Sequence, residues 1–273
     1  MKGSKILIYK PAAGMEFIAD NRGIYLESID MTGLSGIHTV QSLAFSNGQH
    51  TVRSQLGAKT IPCSFAFWDK NDDFYLRETL AGIFSPLQSG TLRVITRTAE
   101  YEIECRPQNV PVFNRDSGVP EIWRFDVDFV SDDPLWKKGP ELRLTLANGD
   151  NETINTGTIV SNPTPFDLPI VIHRPADMGA TAFKIGTVSN GTYTMRTSFT
   201  IPAADNKELY IYTDSLRIVD AQGVDCSSGM DPATLYSSFY LAPGLNRIAV
   251  SPSGGDDDKH LDIRYRHLSA GEV

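Results

Sequence analysis

Residues 126–138 read DVDFVSDDPLWKK, and how this stretch is divided decides how the whole chain is divided. Asp126 and Asp128 alternate with Val127 and Phe129 as in a half-buried strand, with successive side chains on opposite faces. Asp133-Pro134 then interrupts the pattern. Proline has no amide donor and biases its predecessor toward extended or turn geometry, so a ladder does not run through it. One strand therefore ends before Asp133, and the next element is expected near Leu142. In a chain of 273 residues the break falls close to the middle, which predicts two domains, 1–136 and 137–273.

Hydrophobic residues make up 41% of the sequence and charged residues 21%, enough apolar material for packed cores and too little charge for wholesale disorder. The net charge of −8 argues against tight nucleic-acid binding as the main task, because that affinity comes chiefly from Lys and Arg neutralising phosphates. The opening MKGSKILIYKPAAG holds a four-residue apolar run, far short of a signal-peptide core, and no stretch approaches the length of a membrane span. The expectation is a soluble protein made in a cytoplasm. Cys63, Cys105 and Cys226 are widely spaced and odd in number, which fits reduced thiols packed as small hydrophobes.

One segment has helical spacing: Leu76, Leu80, Ile83 and Phe84 within NDDFYLRETLAGIFSP, with Asn71, Asp72 or Asp73 to cap its start and Ser85-Pro86 to end it. The remainder reads as strand and turn. TVQSLAF and HTVRSQL flank SNGQ, whose Asn-Gly tolerates the positive φ of a tight hairpin turn. This long hairpin is polar, with Gln41, Ser42, His50, Thr51, Arg53, Ser54 and Gln55, and it can bury little of itself. It either stands in solvent or lies on another subunit. KTIPCSFAFW places Ile61, Cys63, Phe65 and Phe67 on one face, and TLRVITR, EYEIECRP and EIWRFDVDFV supply further strands.

The second half opens with ELRLTLANGDNETINTGTIV, read as a hairpin with Asn148-Gly149 at its tip, followed by the proline-rich connector SNPTPFDLP. IVIHR, AFKIGTV, YTMRTSFTI, ELYIYTDSLRIVDA, SSFYLAPGLNRIAVS and HLDIRYRHL follow at intervals of about ten residues, a rhythm that argues a β-sandwich or jelly roll. LDIRYRHL is expected to be a strand of the second domain.

Sites of chemistry are sparse. GxSxG, HExxH, GxGxxG and Walker-type motifs are absent, and the histidines at 38, 50, 173, 260 and 267 show no close metal-ligand pairing. Asp69, Asn71 and Asp73 match the first ligand positions of a calcium loop, but Phe74 stands where glycine is needed, so helix capping is the better reading. Asp256, Asp257 and Asp258 lie in a glycine-rich turn and read as a solvated loop. No catalytic, cofactor-binding or metal residue is assigned. Sugar binding is the alternative function, with a glycoside hydrolase as its remote variant. Trp68, Trp123 and Trp136 all lie in or beside the first half, which leaves Tyr193, Tyr210, Tyr212, Tyr236, Tyr240 and Tyr265 as stacking platforms in the second.

Taken in order, the polar hairpin SLAFSNGQHTVRSQLGAKTIPCSFAFW, the helix DDFYLRETLAGIF, the strands GTLRVITRTAEYEIECRP, the strand EIWRFDVDFVSDDPLW, and then SNPTPFDLPIVIH, FYLAPGLNRIAV and LDIRYRHLSAGEV resemble the distal tail (Dit) protein family of siphophages. The resemblance spans the chain, and it rests on the order of these segments rather than on any one of them. It implies a mainly β protein: a β-sandwich or barrel-like first domain with one short helix and a long hairpin, then a galectin-like β-sandwich of jelly-roll type. It implies a non-enzymatic virion component without cofactors. This would be the tail-tip or baseplate hub of a long non-contractile-tailed phage or prophage, a homo-hexameric ring between the tail tube and the host-adsorption apparatus. Partners would be the tail tube, the tail-associated hub or lysin, and receptor-binding proteins, with neither membrane nor tightly bound nucleic acid. The hairpin would be a belt at the subunit interface through Phe45, Asn47, Gly48, His50, Arg53, Gln55 and Leu56; Asp133, Pro134 and Trp136 would form the domain junction. IVIHRP does not reproduce the galectin His-x-Asn-x-Arg sugar motif, which favours protein docking by the second domain.

Overall fold

A computed structural model describes residues 5–42, 49–69, 74–146, 157–176, 180–201, 207–215, 217–227, 239–253 and 261–271. The chain is mainly β and divides into two units: unit 1 is Met1–Gly139 together with Ser269–Val273, and unit 2 is Pro140–Leu268.

Unit 1 runs β1 (Ile6–Pro11), β2 (Phe17–Ala19), β3 (Ile24–Ile29), β4 (Gly36–Ser42), β5 (Gln49–Leu56), β6 (Lys59–Trp68), α1 (Phe74–Ile83), β7 (Gly90–Ile95), β8 (Glu100–Pro107), β9 (Asn114–Arg115) and β10 (Ile122–Ser131). Strand alternation sets its core. β10 lies antiparallel to β6 with Phe125 opposite Phe65, Val127 opposite Cys63 and Phe129 opposite Ile61, and all six side chains are buried. Phe17 meets Phe65 and Phe84 edge-on at 5.2 and 4.8 Å, and Phe65 stacks on Phe125 at 5.0 Å. Each such pair contributes about 0.5–1.5 kcal/mol beyond its area burial. α1 closes this core with Leu80, Ile83 and Phe84, the stripe that the three-to-four spacing predicts. Its outer side is fastened by Arg77, which bonds Asp69 at 3.2 Å and lies over the Trp123 ring at 4.2 Å, while Arg115 covers the same ring at 4.8 Å. Asp69 is thus a partner for a guanidinium; Asn71, Asp72 and Asp73 lie outside the described residues. Cys63 and Cys105 are buried thiols, and burial pushes Cys105 up to about 12. Among the described residues no helix is long and apolar enough to cross a membrane.

β11 (Trp136–Leu146) begins in unit 1 and ends in unit 2. It starts six residues earlier than the sequence suggests, because Gly139 and Pro140 do not break it: Gly139 takes a φ of +74°, a conformation open to glycine, and strand continues on either side.

Unit 2 continues with β12 (Thr158–Asn162), β13 (Leu168–Pro169), β14 (Val171–Arg174), β15 (Ala180–Ser189), β16 (Thr192–Ile201), β17 (Leu209–Tyr212), β18 (Arg217–Asp220), β19 (Tyr240–Leu241), β20 (Gly244–Ser253) and β21 (Leu261–Ser269). It has the two main sheets of a sandwich, β18-β17-β14-β21-β11 and β12-β20-β15-β16, with a short β13-β19 pair. The hairpin expected across Asn148-Gly149 is corrected: β11 pairs with β8 and β21, while β12 pairs with β20 in the other sheet. The tip itself lies outside the described residues. Asn-Gly reports a turn, not which strands will pair after it, and here the chain changes sheets.

Two buried asparagines shape the connectors. Asn162 donates to Phe166 O and Leu241 O at 2.7 and 2.8 Å and accepts from Thr164 N and Oγ1 at 2.9 and 2.7 Å, so one side chain organises the proline-rich connector. In the Pro243-Gly244-Leu245-Asn246 turn, Asn246 accepts from Ala242 N at 2.9 Å and donates to Ala242 O at 2.7 Å, while Gly244 supplies a φ of +93°.

Candidate assembly site

The stretch at 131–136 is a corner along one sheet edge. β10 and β11 both run antiparallel to β8: Phe129 faces Pro107, and Lys137 faces Glu102. From one pairing to the next the chain advances eight residues while β8 advances five, so three residues are looped out. Such an insertion bends a strand and re-aims the side chains after it. Asp132 reaches back to Arg106 at 2.9 Å, Asp133 accepts the Leu135 amide at 3.2 Å, and Ser131 Oγ donates to Glu104 O at 2.6 Å. Pro134 is buried, and beyond it Trp136 enters the core of unit 1 without exposure. Its indole N–H donates to Met31 O at 3.1 Å, and its ring meets Tyr101 edge-on at 6.4 Å.

Lys59, at the start of β6, completes this knot. Its ammonium lies 5.8 Å from the centre of the Trp136 ring and donates to Ala270 O at 2.6 Å, within the short C-terminal part of unit 1. Burial lowers its pKa to about 8, opposed by the nearby Asp30 carboxylate. Asp30 is itself held below the usual carboxylate range by hydrogen bonds from Thr32 Oγ1 and N at 2.6 and 2.9 Å. Gly271, at φ +129°, packs so closely on Met31 O that a Cβ would collide with it.

The hairpin is built differently. β4 and β5 pair in register from Gly36 opposite Leu56 to Ser42 opposite Gln49, with a shift between Thr39 and Val40. Among the described residues they pair only with each other. The base is pinched where Gly57 N donates to Ser35 O at 2.8 Å, and a Cβ on Gly57 would stand 2.7 Å from Ser35 Oγ. A two-stranded hairpin in water is marginal, and its outer edges offer unpaired backbone donors and acceptors. His50 lies opposite Gln41 and Arg53 opposite Thr39 on β5; Gln55 and Leu56 are exposed near the base; Phe45, Asn47 and Gly48 lie outside the described residues. Ile37 and Leu56, at 49% and 42% exposed, leave apolar surface at the root of the hairpin.

Unit 1 also exposes Met15, Trp68, Phe74, Tyr75 and Leu87, none of which the sequence places at an interface. The signal was present for two of them: Phe74 and Tyr75 precede the buried stripe of α1 and fall on its outer side.

No protein-family model and no curated protein matches the sequence. The fold is nonetheless shared with solved phage proteins. The Dit protein (gp 19.1) of phage SPP1, a paradigm of the hub adsorption apparatus in phages that infect Gram-positive bacteria, superposes with a TM-score of 0.66 at 12% identity, covering 96% of this chain and 99% of that one. The phage P2 baseplate in its activated conformation with Ca gives 0.55 at 8% identity, covering 98% and 99%. The same baseplate with Sr gives 0.53 at 8%, covering 99% and 100%. At these identities what is shared is the fold, and it is shared along nearly the full length of each chain.

Proposed function

We propose that this protein is a non-enzymatic structural component of a phage or prophage tail tip: a hub that associates with five further copies of itself into a ring between the tail tube and the adsorption apparatus. The observation that carries the reading is the full-length likeness of fold to the SPP1 hub protein, covering both units. The hairpin supports it, because backbone edges that β4 and β5 leave unpaired within the described chain gain partners on a neighbouring copy. A head-to-tail contact of this kind generates a closed ring when its rotation closes. In this reading β4–β5 is the belt, and Asp133, Pro134 and Trp136 form the domain junction. Unit 2 docks other tail components, such as a tail-associated lysin or receptor-binding protein.

The test is negative-stain electron microscopy of the purified protein at high concentration, with particle mass measured in parallel. Six-fold particles with a central hole are the expected result. A monodisperse monomer, alone and with a tail-tube preparation added, would overturn the ring.

A further inference from the structure

Strand alternation in unit 2 gives the β18-β17-β14-β21-β11 sheet two unlike faces. Ile172, Ile211, Ile218 and Ile263 are buried on one. The register places Val171 opposite Tyr212 and Arg264, His173 opposite Tyr210 and Asp262, and Tyr210 opposite Val219, so these residues share the other. A pocket of about 350 Å³ opens on this second face, with Val171, Tyr212 and Val219 among its apolar lining and Glu141, Asp220 and Arg264 among its polar lining. That volume lies at the small end of the roughly 300–1,000 Å³ typical of small-molecule sites.

The wall beside it is held rigidly. Tyr210 stacks on His173 at 4.9 Å and donates its hydroxyl to Glu208 at 2.8 Å, and His173 Nε2 lies 2.5 Å from the same carboxylate. Asp262 is bonded by Arg143 Nε at 2.9 Å and Thr145 Oγ1 at 3.0 Å. Side chains fixed before a ligand arrives lose little entropy when it does. Arg264 Nε and His173 Nδ1 are buried without a hydrogen-bond partner, and Glu141 Oε1 stands 3.9 Å from Arg264 Nε. That gap is too long for a hydrogen bond, and the exposed Glu141 carboxylate can accept from a ligand hydroxyl.

We propose that this face of unit 2 is a binding site for a neutral saccharide, one sugar ring lying against Tyr212 with a hydroxyl donating to Glu141. Charge selects the class. An anion entering the pocket meets the carboxylates of Glu141 and Asp220, and a simple cation meets Arg264, whereas a polyhydroxylated neutral ring satisfies both signs. Most of the exposed apolar surface that a protein partner would bury lies elsewhere: Ile159, Met195 and Leu245 belong to the other sheet, with Val224, beside the pocket-lining Gly223, the exception. Of the tyrosines considered as platforms, Tyr193 has its hydroxyl buried, Tyr240 lies under Arg196 at 3.9 Å, Tyr236 lies outside the described residues and Tyr265 does not line the pocket, whereas Tyr210 and Tyr212 do. The galectin sugar motif is absent from β14, and the pocket is assembled from β11, β14, β17, β18 and β21.

The experiment titrates the full chain with the methyl glycosides of glucose, galactose and N-acetylglucosamine, following saturation transfer by NMR, with inorganic phosphate as the anionic comparison. At least one glycoside is expected to bind with a Kd of about 1–10 mM, weakened at least about tenfold in Tyr212→Ala. Glu141→Gln, at an exposed position, is expected to weaken it several-fold and serves if the tyrosine variant does not fold. No glycoside binding at about 100 mM, equal binding by both variants, or preference for phosphate would each overturn the proposal. Micrographs of the same preparations score ring formation separately, so failure of the sugar site leaves the hub reading to its own test.

Discussion

β4–β5 and β15–β16 are both antiparallel hairpins with a single register shift, at Thr39/Val40 in one and Ile185/Gly186 in the other. Their surroundings differ. β15 pairs a second time, with β20, and buries Phe183 and Ile185 completely; at the shift, Gly186 lets the Tyr193 ring lie where a Cβ would otherwise stand. β4 and β5 have no second pairing among the described residues, and the apolar Ile37 and Leu56 at their root are exposed. The same local geometry is a foundation in one unit and an unfinished structure in the other. What separates them is whether the sequence supplies a buried face.

The largest test of this contrast is excision of residues 36–56, joining Ser35 to Gly57, which already share a 2.8 Å hydrogen bond. Complete loss of rings with retained β-sheet circular dichroism is expected; rings of normal mass would end the belt assignment. Phe183→Ala in the supported hairpin is expected to cost about 3–5 kcal/mol in denaturant unfolding. A cost below about 1 kcal/mol would mean that β15 does not carry core load. Asn162→Ala, which removes four hydrogen bonds from a buried connector, should cost about 1–3 kcal/mol by the same measurement.

Lys59 gives a pH-dependent counterpart. Its folded pKa, lowered by burial to about 8, lies below the model-compound value of 10.5. Between these values the unfolded chain binds the proton that the folded chain has released, so stability from this group rises with pH across that window and is flat below it. Wild type should therefore gain on Lys59→Met between about pH 8 and about pH 10, by on the order of 1 kcal/mol. A difference that stays constant or falls would show that the amine is not neutralised by burial. The smallest effect is Ile37→Ser: folding stability within about 0.5 kcal/mol of wild type, with a measurable loss of ring mass on dilution. A large folding defect there would mean that the hairpin is internally supported after all.

Much of the fold was legible because it is written in short-range periodicity. Alternation at Ile61, Cys63, Phe65 and Phe67 and the three-to-four spacing at Leu80, Ile83 and the partly buried Leu76 translate directly into core-facing sides. β11 was misread at its start because glycine and proline weaken a strand locally, whereas this one is fixed by β8 and β21. The Asn148-Gly149 hairpin failed for a related reason, since partner choice depends on residues about a hundred positions away. The pocket of unit 2 was least legible. Tyr210, Tyr212 and Arg264 come from strands distant in sequence, and only the sheet order brings them to one face.

The C-terminal return has a consequence for synthesis. Unit 2 is an insertion inside unit 1, opening at Pro140 and closing at Leu268, and the residues that Lys59 and Met31 receive follow it in the chain. Because domains fold as the ribosome delivers them, at roughly 5–20 residues per second, the nascent first unit waits through all of unit 2 for its last few residues. The Lys59 and Gly271 contacts thus act as a late latch, formed only on a chain translated through its second unit.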